Sequence, residues 1–348
     1  MENEAETEAT EATAGTDARA ETAPEPARPA PRLTAGIDLG GTKIQVVVLR
    51  DKEVVGSSRV PTPQTGAPDV IAAMAQAVQD SLTQASATLD DLAAVGIGTP
   101  GEIDAEKGEV SLAANVPGFV DPPVPLGPRI SEALGGVEVH IDNDVRVAIL
   151  GEHERGAGRP YANFLGVFVG TGVGGGLILE GQLRTGRGAA GEIGHAVVKD
   201  GGRKCACGRR GCLEAYAGRG SMEVHARKLV EEGEETHLFD IMEKKGRTRL
   251  SSGVWADALE KDDKMAHKLV EDAVWALGLA LASAQNVLDV DMILIGGGLG
   301  DRLGKSFAEE VAEAMLPHLF VRDNPPAILP TELGDYAGAV GAAVLAGG

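Results

Sequence analysis

Two stretches of this chain are written to one plan. Residues 33–50, "LTAGIDLGGTKIQVVVLR", and residues 163–183, "NFLGVFVGTGVGGGLILEGQL", each read as apolar strand, tight glycine turn, apolar strand. The first continues into a third strand, "EVVGSSRVPT", and later into two more apolar runs, "LAAVGIGTPG" and "VEVHIDND". The second is followed by "DMILIGGGLG" and "AILPTELG". A module used twice points to a duplicated supersecondary unit. Helical stretches separate these runs, so the chain is expected to fold as α/β layers with a mixed sheet in each of two halves.

The helical stretches carry their own signals. Val70, Met74, Val78 and Leu82 recur at fourfold spacing and form one stripe. "VPLGPRISEALGG" reads as a helix closed by Gly135 and Gly136, and "VRVAILGEHERGAG" as a helix following the strand that ends at Asp144. "AVWALGLALASAQNVL" is the longest apolar run, but Ser283, Gln285 and Asn286 interrupt it, so a buried helix is expected rather than a membrane span. A helix is expected from Asp301 to about Leu319, and a small-residue helix in "DYAGAVGAAVLAG".

Residues 1–31 are rich in Glu, Ala, Thr and Pro and hold almost no large apolar side chain, which predicts a disordered acidic tail. That start lacks the apolar core of a signal peptide, so cytoplasm is the expected compartment. The formal charge of −20 repels phosphate backbones and anionic lipid, which argues against nucleic-acid and membrane partners.

Three glycine turns share one chemistry. In "DLGGTK", Gly40 and Gly41 allow a close backbone approach to an anion, Thr42 adds a hydroxyl donor, and Asp38 could hold Mg²⁺ through water. "GTGVGGG" repeats the device at Gly170, Thr171 and Gly172, and "GGGLG" places Gly296, Gly297 and Gly298 between a strand and a helix. Any one of these could be a plain hairpin turn; three of them, all following strands, favour phosphate or nucleotide. There is no G-x-x-x-x-G-K-[ST], and "GTGVGG" runs into a strand rather than a helix, unlike a dinucleotide fingerprint.

"HIDNDVRVA" sets Asp142, Asn143 and Asp144 at a strand-to-helix junction. Such residues serve as N-caps, satisfying free amides. A carboxylate there can equally act as a general base on a hydroxyl, with Asn143 orienting the same substrate. All three cysteines fall in "GEIGHAVVKDGGRKCACGRRGCLEAY". His195, Cys205, Cys207 and Cys212 form a candidate closed tetrahedral Zn²⁺ site, structural rather than catalytic. Glu192 and Glu214 flank it. They are either solvated surface acids or rigidly held acceptors for a polyhydroxylated ligand.

The segments "GIDLGGTK", "GIGTPG", "NVPGF", "DNDVRVA", "GTGVGGG", "GEIGH", "CACGRRGCLE", "IGGG" and "DYAGAVGAA" together resemble the ROK family of sugar kinases and repressors, in family order from Gly36 onward. The resemblance implies a two-domain actin-like ATPase (ribonuclease H-like) fold with a cleft between the domains. The first domain would span residues 32–144, joined by a C-terminal helix at 335–348, and the second residues 145–334, carrying a zinc loop at 195–214. It implies ATP-dependent phosphorylation of a hexose at its 6-hydroxyl, glucose first, with other hexoses and N-acetylhexosamines as alternatives. Asp38, Gly41, Thr42 and Lys43 would lie by the phosphates and Mg²⁺, and Asp144 would be the catalytic base. Asn115, Asn143, Glu192, His195 and Glu214 would contact sugar, His195 serving zinc and sugar through different ring nitrogens. Thr171, Gly172 and the glycines at 296–298 would contact the nucleotide, and the family suggests a homodimer. Repressors of the family carry an N-terminal helix-turn-helix module, and the acidic tail has neither room nor charge for one. Two departures stand out. Arg146 is bulkier than the residue usual there, which bears on substrate preference, and Phe119 replaces a frequent Trp with little expected effect.

Overall fold

The computed structural model describes residues 33–51 and 53–347. The acidic tail expected at 1–31 lies outside the described residues. The chain opens with an antiparallel meander, β1 (Leu33–Leu39), β2 (Lys43–Arg50) and β3 (Glu53–Pro61), followed by α1 (Ala67–Gln84) and β4 (Leu92–Thr99). A small hairpin of β5 (Glu102–Asp104) and β6 (Glu109–Ser111), α2 (Leu126–Ala133) and β7 (Glu138–Asn143) complete the first half. The sheet runs β3-β2-β1-β4-β7, with β4 parallel to β1 and β7 parallel to β4.

From β7 the chain enters α3 (Asp144–Arg155), then a second meander of β8 (Phe164–Val169), β9 (Val173–Leu179) and β10 (Gln182–Arg184). Four helices follow the zinc loop: α4 (Glu214–Ala217), α5 (Arg219–Glu231), α6 (Leu238–Lys244) and α7 (Ser252–Leu259). Then come α8 (Lys264–Leu288), β11 (Met292–Gly296), α9 (Gly297–Met315), β12 (Ala327–Pro330) and α10 (Ala337–Gly347). The second sheet runs β10-β9-β8-β11-β12, with β11 parallel to both β8 and β12. Its strand order and directions reproduce the first, which is the duplication expected from the two glycine-turn modules.

The stripe on α1 is buried throughout and packs against β1 and β2. On the other face of that sheet lies α10, which reaches it from the far end of the chain. The approach is close enough that a methyl on Gly96 would overlap the Ala342 carbonyl, and one on Gly341 would overlap the Val147 carbonyl in α3. Glycine is required there by contact, not by turn geometry. α3 touches both sheets: Gly98 abuts its Val147, and Ile149 packs with Phe164, Ile178 and Met292. The segment between β12 and α10 is held by Glu152 on α3, which is fully buried. Its carboxylate accepts from the backbone N–H groups of Ala157 (3.0 Å), Glu332 (3.1 Å) and Leu333 (2.8 Å). Burial pushes the Glu152 carboxyl up, opposed by those three donors.

Two helix expectations need correction. The glycine run after β11 is not a free loop: α9 begins at Gly297, four residues earlier than expected, and contains one non-helical residue at Gly304 (φ 64°). Glycine tolerates both the tight start and the break. The α8 run is not buried all round, since Trp275 and Val287 are 40% and 83% exposed. The helices at 219–231, 238–244 and 252–259 were not anticipated; the last two are under nine residues long, too short to set up a clear apolar stripe.

Candidate active site

Asp38 sits at the penultimate position of β1, just before the Gly40–Gly41 turn, and Asp144 at the first turn of α3, so both belong to the C-terminal edge of the first sheet. Asn143 is the N-cap: its Oδ1 accepts from the N–H groups of Val145 (3.0 Å) and Arg146 (3.2 Å). The capping reading therefore holds for Asn143, at about 1 kcal/mol. Asp144 Oδ1 accepts from Val145 N–H at 2.9 Å.

The two aspartates feel each other. Burial pushes the Asp38 carboxyl up to about 7, and the charge of Asp144 adds to the rise while Lys43 opposes it. Burial also raises Asp144, against the Val145 and Asn143 hydrogen bonds, and the charge of Glu192 adds. A pair of half-buried carboxylates with one lysine as counter-charge is a strained arrangement that a divalent cation relieves. Asp38 thus fits a role near Mg²⁺.

The remaining predicted residues of this half fall around the same turn. A methyl on Gly41 would overlap the Asn115 carbonyl, so the β1–β2 turn rests on that segment. Gly40 and Thr42 are pinned by Thr62, whose Oγ1 donates to the Gly40 carbonyl at 2.6 Å and whose N–H donates to the Thr42 carbonyl at 3.2 Å. Lys43 Nζ pairs with Asp335 at 2.7 Å, and Arg59 with the same carboxylate at 3.1 Å. Asp335 was not among the expected residues.

In the connection between β10 and α4, the four candidate zinc ligands converge, with ligand atoms all within 4.8 Å of one another. Cys207 Sγ and Cys212 Sγ are 3.8 Å apart, and Cys205 Sγ and His195 Nδ1 3.9 Å apart. A tetrahedron with Zn–S bonds of about 2.3 Å has edges of roughly 3.8 Å, so the donor set fits the ion. His195 uses Nδ1, which leaves Nε2 for another partner. Burial pushes the Cys205 thiol up to about 12, while the Arg209 backbone and side chain pull Cys207 down to about 6. The loop folds as a narrow hairpin, with Cys205 N–H donating to Arg209 (2.9 Å) and Gly211 N–H to Arg203 (2.8 Å). Gly211 has φ 80°, and a side chain there would also overlap the Lys199 carbonyl.

Glu214, just past this hairpin, is partly committed: its Oε2 accepts from Val173 N–H at 3.0 Å. It therefore ties the zinc loop to the Gly170–Gly172 turn. Glu192 is exposed. Gly296 to Gly298 stand at the start of α9, on the same edge of the second sheet as the Gly170–Gly172 turn.

The family profile described as "ROK family" matches residues 34–348. The chain belongs to the ROK family. A glucokinase from Halalkalibacterium halodurans is 34% identical over 317 residues, covering 89% of this chain and 93% of that protein. Among solved structures, the ROK hexokinase from Thermus thermophilus aligns with TM-score 0.76 at 32% identity, over 90% of this chain and 97% of that one. A ROK family glucokinase from Streptomyces griseus, solved with glucose and AMPPNP, aligns with TM-score 0.73 at 30% identity, over 90% and 99%. The actin-like fold read from the motifs is thereby established.

Arg146 has an acid partner of its own. It is bound to Asp142, with Nε at 2.8 Å from Oδ1, and its Nη1 donates to the Gly188 carbonyl at 2.9 Å. The pair steadies the 185–190 loop that leads to Glu192. An i, i+4 acid–arginine spacing across the cap was the available sequence signal. Phe119 is fully buried.

Proposed function

We propose that this ROK protein is an ATP-dependent glucokinase, transferring the γ-phosphoryl group of ATP to the 6-hydroxyl of glucose. The carrying observation is Asp144 beside Asp38 at the sheet edge, in a chain 30% identical over nearly its whole length to a glucokinase solved with glucose and AMPPNP.

Asp144 takes the proton of the 6-hydroxyl as that oxygen bonds to the γ-phosphorus, and the bond from γ-phosphorus to the bridging oxygen breaks, releasing ADP. Asn143, Asn115, Glu192, His195 Nε2 and Oε1 of Glu214, which in the structure lies 3.6 Å from Cys205 Sγ, hold the other hydroxyls. The turns at 40–42 and 170–172 offer backbone N–H groups to the phosphates, with Thr42 and Thr171 adding hydroxyls. Lys43 reaches the phosphates by exchanging Asp335 for them. Mg²⁺, held by way of Asp38, supplies neutralisation of phosphate charge when bound. Zn²⁺, held by His195, Cys205, Cys207 and Cys212, keeps the sugar-binding loop in shape.

A panel of sugars with coupled ADP detection tests the substrate. Glucose should be turned over with the highest kcat/KM. Turnover of N-acetylglucosamine or N-acetylmannosamine without glucose would reassign it.

The protein works as a cytoplasmic homodimer in this reading. No described helix is long and apolar enough to cross a membrane. Trp275 and Val287 on α8 and Phe320 beyond it, whose N–H donates to Asn286 on that helix (2.8 Å), are large apolar side chains left exposed, Phe320 at 90%. Exposed apolar side chains of this size suit a self-complementary contact. Light scattering should give twice the chain mass, and a monomer at micromolar concentration would remove the assignment.

A further inference from the structure

Arg219 stands where the chain leaves the zinc loop and starts α5. Its N–H donates to the Gly170 carbonyl at 3.1 Å, and the next N–H, of Gly220, to the Thr171 carbonyl at 2.9 Å. The start of α5 is thus laid along the 170–172 turn. The guanidinium follows it: Nη2 is 3.4 Å from Thr171 Oγ1, and Nη1 is 3.4 Å from the Leu250 carbonyl. A methyl built on Gly298 would stand 3.7 Å from Nη2. One side chain therefore lies between the two glycine segments of the second sheet.

Its charge has no counter-ion among the described residues. Nε is buried and without a partner. Glu223, the acid whose charge reaches it, is already bound by Arg227 (2.7 Å), Arg249 (3.0 Å) and the N–H of Leu250 (2.9 Å). Burial, and then the neighbouring Arg249, hold the Arg219 guanidinium below its ordinary pKa. Next to it opens a cavity of about 580 Å³ lined by Thr171, Gly172, Gly220, Ser221 and Arg249, among others. A half-buried, uncompensated planar fork whose neighbours Thr171 and Gly220 line such a cavity is complementary to a phosphate, which it can grip with two parallel hydrogen bonds.

We propose that Arg219 is a donor-binding residue whose guanidinium takes the phosphate chain of the nucleoside triphosphate at its nucleotide end, between Thr171 and Gly298. The charges that act on it are those of Arg249 and Glu223, whereas Asp144 acts on Asp38 at the β1–β2 turn. The transferred phosphoryl is left to that turn. This assignment rests on the kinase reading above. Because the gripped phosphate is common to ATP and ADP, the contact is uniform binding: it lowers KM without changing kcat.

The test uses Arg219→Gln, Arg219→Ala and Arg219→Lys in the full chain, with calorimetry of ADP and of adenosine and steady-state kinetics with ATP and glucose. Gln keeps a donor for the Leu250 carbonyl but removes the charge. The expected result is a rise of about tenfold or more in Kd for ADP and in KM for ATP with Gln and Ala, partial recovery with Lys, and kcat and glucose KM within about twofold. Adenosine, which has no phosphate, should bind as before. Unchanged ADP affinity would overturn the proposal, and so would equal weakening of ADP and adenosine, which is what a merely structural role produces. ADP calorimetry needs no sugar turnover, so a protein that fails to phosphorylate glucose would sink the glucokinase reading and still decide the role of Arg219.

Discussion

Asp144→Asn should lower kcat by on the order of 10²–10⁴ while glucose still binds with near-unchanged affinity. The amide keeps the shape of the side chain and can still accept from the Val145 N–H that holds it at the start of α3. It cannot take a proton. Asn143, which caps the helix, is untouched, so the junction stays folded. The pH profile gives a second readout. Burial holds the Asp144 carboxyl above the ordinary 3.8. A base must be ionised to work, so kcat/KM of the wild type should fall on acidification at a pH above that value, rising again as the carboxylate forms. The residual activity of the variant should lack that limb. Turnover near the wild-type rate would place the base elsewhere.

Cys207→Ser should abolish zinc binding, lower the melting temperature substantially and raise glucose KM about tenfold or more. Structural Zn²⁺ contributes several kcal/mol to folding a loop that has little core of its own. Cys207 is the informative position because its side chain is exposed, whereas Cys205 and Cys212 are buried. A serine at 207 creates no cavity, so the loss reports the ion and not packing. The sugar effect follows from connectivity: His195 is a ligand itself, Glu192 precedes it by three residues, and Glu214 follows Cys212 by two and is fastened to Val173. Elemental analysis of the wild-type protein showing no zinc would end this account, as would a variant that retains one ion per chain.

How much of this was legible in the sequence depends on the range of the interaction. The twin meanders were readable because a strand–glycine–strand module is local, and β1–β2 and β8–β9 pair as hairpins across their own turns. The zinc ligands were readable because thiols are few and close in sequence. Asn143 and Asp144 could not be separated by pattern alone: capping and catalysis favour the same residue types at the same place. Long-range partners were invisible. Asp335 reaches Lys43 across the whole chain, Glu152 finds its three amides only once β12 leads into α10, and Arg219 gains meaning only when Gly298 comes to lie beside it. Nothing in "AYAGRGSM" signals that contact.

The closure of α10 over β1 and β4 has a consequence for biosynthesis. During translation the amino-terminal sheet emerges first, and α1 can cover one of its faces as soon as it appears. The opposite face must wait, because the residues that overlie Gly36 and Gly96 are Ala339, Ala342 and Ala343, among the last of the described chain to leave the ribosome. Between the emergence of β4 and that of α10 the nascent polypeptide therefore carries an uncovered apolar layer, which is the state that chaperones hold and proteases sample.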